Sequence, residues 1–166
     1  MGYDEKIFKA KANIKARRLW LVFAILLTAN YGTDTANGAY SVSNYIIFVI
    51  LCWLPFVCGD MLLKKKGKDN DRYRLAFVIG YGIFDVFLLC TTTSPIAFTY
   101  ILPIISLIVI FKDEKFMIYC AVANMLSLIA SIAFHIFVLG QNTAIDHKNF
   151  QLQIACLLLC YIGYIM

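Results

Sequence analysis

Charge is scarce in this sequence and confined to a few places. Only 15% of the 166 residues are charged, while 61% are hydrophobic and the mean hydropathy is +0.76. Ordinary soluble domains are nearer 45–50% apolar, so the composition points to an integral membrane protein, with one membrane domain over the whole length. Cysteine spacing of the metal-binding kind is missing. The six cysteines (Cys52, Cys58, Cys90, Cys120, Cys156, Cys160) lie inside apolar runs with no C-x-x-C among them, and read as small packing residues. Histidine is limited to His135 and His147, too far apart to suggest haem or metal. No nucleophile–base pair, paired carboxylates, H-E-x-x-H or phosphate-cradling glycine loop is visible, so no enzymatic activity and no cofactor is expected. Internal repeats and low-complexity segments are absent.

What is present is long apolar runs. A helix needs about 20 mostly apolar residues to cross a bilayer. Six candidate spans follow, at about 17–36, 43–63, 74–93, 95–111, 116–139 and 149–166. Lipid offers no partner to free backbone groups, so each span is helical. The expected fold is an all-α bundle of six transmembrane helices, preceded by a basic segment over 1–16. The first span is too long for a cleaved signal peptide.

Lys and Arg in short loops set orientation. Six lie before span 1 (Lys6, Lys9, Lys11, Lys15, Arg17, Arg18) and six between spans 2 and 3 (Lys64, Lys65, Lys66, Lys68, Arg72, Arg74). Lys112 and Lys115 lie between spans 4 and 5. With alternating spans these fourteen share one side, and only Lys148 is opposite. Both termini are then cytoplasmic. The basic runs meet the anionic inner leaflet rather than nucleic acid. Residues 4–18 read as a short interfacial helix with Ile7, Phe8 and Ile14 on lipid, and Trp20 and Tyr73 as part of the interfacial aromatic belt. The turn from Thr91 to Pro95 is tight, which makes spans 3 and 4 antiparallel neighbours.

The outer loops are too short to form a binding domain, so recognition must occur between helices or at their outer mouth. Asp85 is the one carboxylate near the middle of a span, where charge costs about 2.5–3.5 kcal/mol. Tyr81 lies one helical turn earlier on the same face, and Leu88 and Thr92 continue that stripe. Asp85 is open to two readings, a structural hydrogen bond or a ligand- or proton-sensing role. Span 5 places Asn124, Ser127, Ser131 and His135 on one face, where they serve either packing or binding. Cys156, Cys160 and Gly163 suggest a packing seam on span 6, and Gly80-Tyr81-Gly82 a close helix contact. In span 4, Pro103 removes the backbone bond to Thr99 one turn from Tyr100, a candidate hinge.

The segment Gly80–Ala130 contains Tyr81, a Thr/Ser turn at 91–94, Tyr100-x-x-Pro103, and the charged corner Lys112 to Lys115. This pattern resembles the six-span N-terminal sensor module of bacterial methyl-accepting chemotaxis proteins of clostridial type. Related modules precede diguanylate cyclases and histidine kinases. The resemblance covers about fifty residues and implies a chemotaxis-type sensory domain of the bacterial cytoplasmic membrane. Such a domain binds a small or lipophilic ligand in the bundle and signals through the last span to a cytoplasmic output region. It also implies a homodimer or larger receptor array. The sequence ends in an apolar run, as expected of the membrane part of a longer protein. Tyr81, Asp85, Tyr100, Asn124 and His135 are the candidate ligand-binding residues. A substrate-binding subunit of a vitamin-type transporter and a ligand-free membrane anchor or dimeriser are the alternatives.

Overall fold

A computed structural model describes residues 3–92 and 100–165. These residues are helical, without a strand among them. The helices are α1 (Tyr3–Ala36), α2 (Val42–Lys66), α3 (Arg72–Thr91), α4 (Ile101–Ile108), α5 (Glu114–Phe137) and α6 (Ala144–Ile165), with a 3₁₀ turn at Val109–Phe111. α2, α3 and α5 are each long and apolar enough to cross a membrane. The apolar parts of α1 and α6 are shorter. α1 turns polar at Asn30, Thr33 and Asp34, and α6 is polar through Gln153.

The sidedness of these helices is the reverse of that in a water-soluble protein. On α5 the buried positions include Asn124, Ser131 and His135, while Tyr119, Val122, Leu126 and Phe137 are exposed. On α2 the exposed side carries Ile46, Ile50, Leu54, Val57 and Met61. Polar groups inside and bulky aliphatics outside are what hydrocarbon surroundings select.

Local chemistry sets the helix ends. Ser41 caps α2, accepting from Asn44 N at 3.2 Å, and Gly67 follows α2 at φ +93°. In the charged corner before α5, Lys112 is left-handed (φ 49°) and ends the 3₁₀ turn. Asp113 then caps α5 through Phe116 N at 3.0 Å. Thr143 and Asp146 cap α6 reciprocally, with Thr143 N to Asp146 Oδ2 at 2.9 Å and Asp146 N to Thr143 Oγ1 at 3.2 Å.

The chain divides into two compact units, Met1–Phe84 and Asp85–Met166, with the boundary inside α3. The first unit is built on rings. Trp20 meets Phe77, Tyr81 and Phe84 edge-on at 5.3, 6.2 and 6.2 Å, and donates from Nε1 to the Cys52 carbonyl at 3.1 Å. Trp20 and Tyr73 are buried, which corrects their expected place in an interfacial belt. The donor of Trp20 is satisfied by α2 and its ring by α3, so neither needs the interface. Gly80 lies against Pro55; a Cβ there would be 2.7 Å from the proline Cγ. The expected close contact is thus real at Gly80, whereas Gly82 has open space around it.

Residues 3–16 are not a separate interfacial helix. They are the first turns of α1, which at about 1.5 Å per residue is about 51 Å long. That exceeds a hydrocarbon core of about 30 Å. Asn13, with buried Ala12 and Ala16 beside it, donates to the carbonyls of Lys68 and Asn70 at 2.9 and 3.1 Å. Lys9 pairs with Asp71 at 2.9 Å. The α2–α3 connection therefore holds this segment on its Ala12, Asn13 and Ala16 side.

In its described extent α4 begins at Ile101, with Tyr100 before it already in a right-handed helical conformation, and Pro103 lies near that end. The expected bond to Thr99 and the turn at 93–95 lie outside the described residues.

Candidate functional site

The second unit contains a line of buried polar side chains with α5 at its centre. The buried positions of α5 are Met117, Cys120, Asn124, Leu128, Ser131 and His135, spaced by three and four residues. One face of a helix has that spacing. Ser127, expected in the stripe, is only half-buried.

The upper end of the line closes on α3. The last carbonyls of a helix have no partner within it. Leu89 O accepts from Ser131 Oγ at 3.2 Å and from His135 Nε2 at 2.7 Å. Thr92 satisfies the Leu88 carbonyl through both its backbone N–H and its hydroxyl. A carbonyl cannot donate, so His135 carries its proton on Nε2. Its Nδ1 meets the Gln141 side-chain amide at 2.9 Å. An amide can rotate to offer its nitrogen, so Gln141 can donate to the Nδ1 that this tautomer leaves unprotonated. His135 thus joins α3, α5 and the α5–α6 loop.

The lower end joins α6. Asn124 Nδ2 donates to the Tyr161 hydroxyl. Asp85, 2% exposed on α3, is close enough to Tyr161 to act on it electrostatically. One turn further, the hydroxyls of Tyr164 and Ser106 meet at 2.9 Å, and Ser106 Oγ also donates to the Leu102 carbonyl at 3.2 Å. Tyr164 is therefore the donor to Ser106. Two tyrosines of α6 attach it to α5 and α4.

Space is distributed unevenly around this line. A cavity between Leu89, Ile101, Leu128 and Leu157 measures only about 10 Å³, at most one water. A groove of about 260 Å³ opens beside it, lined by Ala121, Val122, Met125, Leu126, Leu158 and Tyr161. Its walls are apolar, and Tyr161 is among them. In the first unit a separate groove of about 720 Å³ lies between α1 and α2, with Thr28, Gly32, Tyr45 and Trp53 in its walls.

No family model matches the chain, and neither a curated protein nor a solved structure resembles it.

The expected site residues divide between the units. Asp85, Asn124 and His135 lie in the polar line of the second unit. Tyr81 belongs to the ring cluster of the first, edge-on to Trp20. Tyr100 takes the N-cap position of α4, half-buried. Tyr161 was not anticipated. The seam expected at Cys156, Cys160 and Gly163 is half-buried at its cysteines, and open space surrounds Gly163. The buried face of α6 is instead Gln153, Leu157 and Tyr161. Their spacing of four was a readable signal, obscured by the small residues alongside. Among the described residues no His, Cys, Asp and Glu group is arranged to hold a metal.

Proposed function

We propose that the chain is a sensory input domain of a bacterial membrane receptor of the chemotaxis type. In this reading all six helices cross the cytoplasmic membrane and both termini are inside, as the fourteen clustered Lys and Arg support. A lipophilic ligand arrives from the lipid and occupies the groove between α5 and α6. The observation that carries the reading is the double placement of Tyr161. It is among the walls of that groove, and its hydroxyl is held by Asn124 in the polar line beside Asp85. A ligand that moves the ring disturbs the polar line and shifts α6, the helix leading to a cytoplasmic output region. The shift is limited to the ligand's differential affinity for the two arrangements.

The test is a fusion of the chain to a histidine-kinase output, screened with lipophilic compounds in vesicles. Tyr161→Phe and Asp85→Ala should abolish a ligand response while insertion and folding persist. A normal response in both variants removes the site. The small-residue groove on α1, with Ala29, Gly32 and Ala36, favours one alternative, a substrate-binding transporter subunit with a partner helix on α1. Co-purification of one tightly held small molecule with a partner subunit would decide for it.

A further inference from the structure

The inner end of the first unit holds a more specific feature than a basic collar. Asp60, near the end of α2, accepts two cations, Arg17 Nη2 on Oδ1 and Lys64 Nζ on Oδ2, both at 2.7 Å. The carboxylate is 18% exposed, the arginine 40% and the lysine 74%. The three charges sum to +1. Arg17 also lies over the Phe56 ring, 5.7 Å from its centroid, so the guanidinium sits where apolar and aqueous surroundings meet. Guanidinium has five N–H groups and ammonium three. Asp60 uses part of each set and brings the remainder together. Residues 4–18 and 60–74 carry twelve basic and five acidic groups, so the surroundings reinforce the surplus.

We propose that Arg17 and Lys64, held together by Asp60, form a site for the phosphate headgroup of an anionic phospholipid of the inner leaflet. The site has the chemistry of a phosphate receptor, a planar fork beside a mobile point charge. The inference rests on membrane insertion and is independent of any sensing role. Asp60 gathers the two cations in the unliganded protein and gives them up when the headgroup binds. It competes with the headgroup for the same donors, so its removal and the removal of a cation act in opposite directions.

The purified full chain, in mild detergent, is titrated with phosphatidylglycerol and with phosphatidylcholine, and bound lipid is counted by native mass spectrometry. Wild type should retain phosphatidylglycerol preferentially. Lys64→Gln leaves the Arg17–Asp60 pair in place and should weaken retention about fivefold, the effect of one cation near a membrane surface. Asp60→Asn should strengthen retention although it removes both ion pairs. A merely structural cluster predicts weaker retention in both variants, and that result overturns the proposal. Lys11→Gln removes another exposed cation of the same basic surroundings and should weaken retention far less; a loss equal to that of Lys64→Gln would show only diffuse attraction and also overturn it. Displacement of the lipid by equimolar inorganic phosphate would assign the site to free phosphate and reject the lipid.

Discussion

The two units bury different chemistry. Around Trp20 the first unit packs Phe77, Tyr81 and Phe84, with Phe48 against Phe84, and there a buried indole donates to a backbone carbonyl. The second buries Asp85, Asn124, Ser131, His135 and Tyr161 along one line. Aromatic packing has many shallow contacts and loses little when one atom moves. A hydrogen-bonded line has few contacts, each dependent on direction. The first unit should therefore tolerate small displacements better than the second. The first unit also has its ion pairs at one end, at Arg17, Asp60, Lys64, Lys9 and Asp71, which fixes α1 against the end of α2 and the α2–α3 connection.

Removing the ring at the centre of the first unit should have the largest effect. Trp20→Ala should lower its stability by about 3–5 kcal/mol, as for other large buried aromatics. Cys52 and Cys120 are both buried, one in each unit, and report separately. In single-cysteine proteins Trp20→Ala should accelerate thiol labelling at Cys52 by at least on the order of a hundredfold. Labelling at Cys120 should change far less. Equal acceleration at both would show that the units open together and that the contrast is one of composition alone.

A smaller effect is expected in the second unit. Hydrogen bonds between membrane helices average about 0.6 kcal/mol and reach about 1.7. A cycle of Asn124→Leu, Tyr161→Phe and the double variant should return a coupling in that range, measured by reversible unfolding in detergent. Cys120, one turn from Asn124, should label a few times faster in the single variants, and Cys52 at its original rate. A coupling of zero would make the polar line a row of independent packing residues.

The sequence made some of this architecture readable and hid the rest for physical reasons. Helix positions followed from apolar runs, because backbone satisfaction in lipid leaves no other choice. Of the charged corner expected at Lys112 to Lys115, only Lys112 and Asp113 lie between helices; Asp113 caps α5, and Glu114 and Lys115 are its first residues. Asp85 and Asn124 stood out because polarity inside an apolar run is expensive. Tyr161 did not, since a tyrosine in an apolar helix is common and only its partners reveal its task. The α3 carbonyl that receives Ser131 and His135 is invisible in any sequence, being backbone. Trp20 and Tyr73 misled because amphipathic rings suit an interface and a core equally, and the neighbours that decide between them are distant in the chain. The N-terminal basic segment read as a separate short helix because its charge contrasts with the apolar run after it, whereas it continues into α1 and Asn13 bonds two backbone carbonyls of the α2–α3 connection.

The smallest expected effect concerns the start of α6 and tests whether the polar line extends into solvent. Asp146 is exposed, and the Thr143 hydroxyl and N–H hold its carboxyl below the usual carboxylate range, with His147 and His135 adding a weaker pull. A depressed carboxyl contributes stability above its unfolded value and loses it as pH falls through the folded one. The cap should therefore be intact at neutral pH and released below the usual carboxylate range. Hydrogen exchange at Ile145–His147 should then accelerate on acidification, while the middle of α6 near Leu157 stays protected. Asp146→Asn should flatten that pH dependence, and Thr143→Ala should weaken protection at all pH values where the carboxylate is ionised. If acidification of wild type frayed α6 as far as Tyr161, the polar line would be connected to the α6 cap through His135. Fraying confined to the first turn would assign the cap a local role and leave the attachment of α6 to α5 to the Asn124–Tyr161 bond.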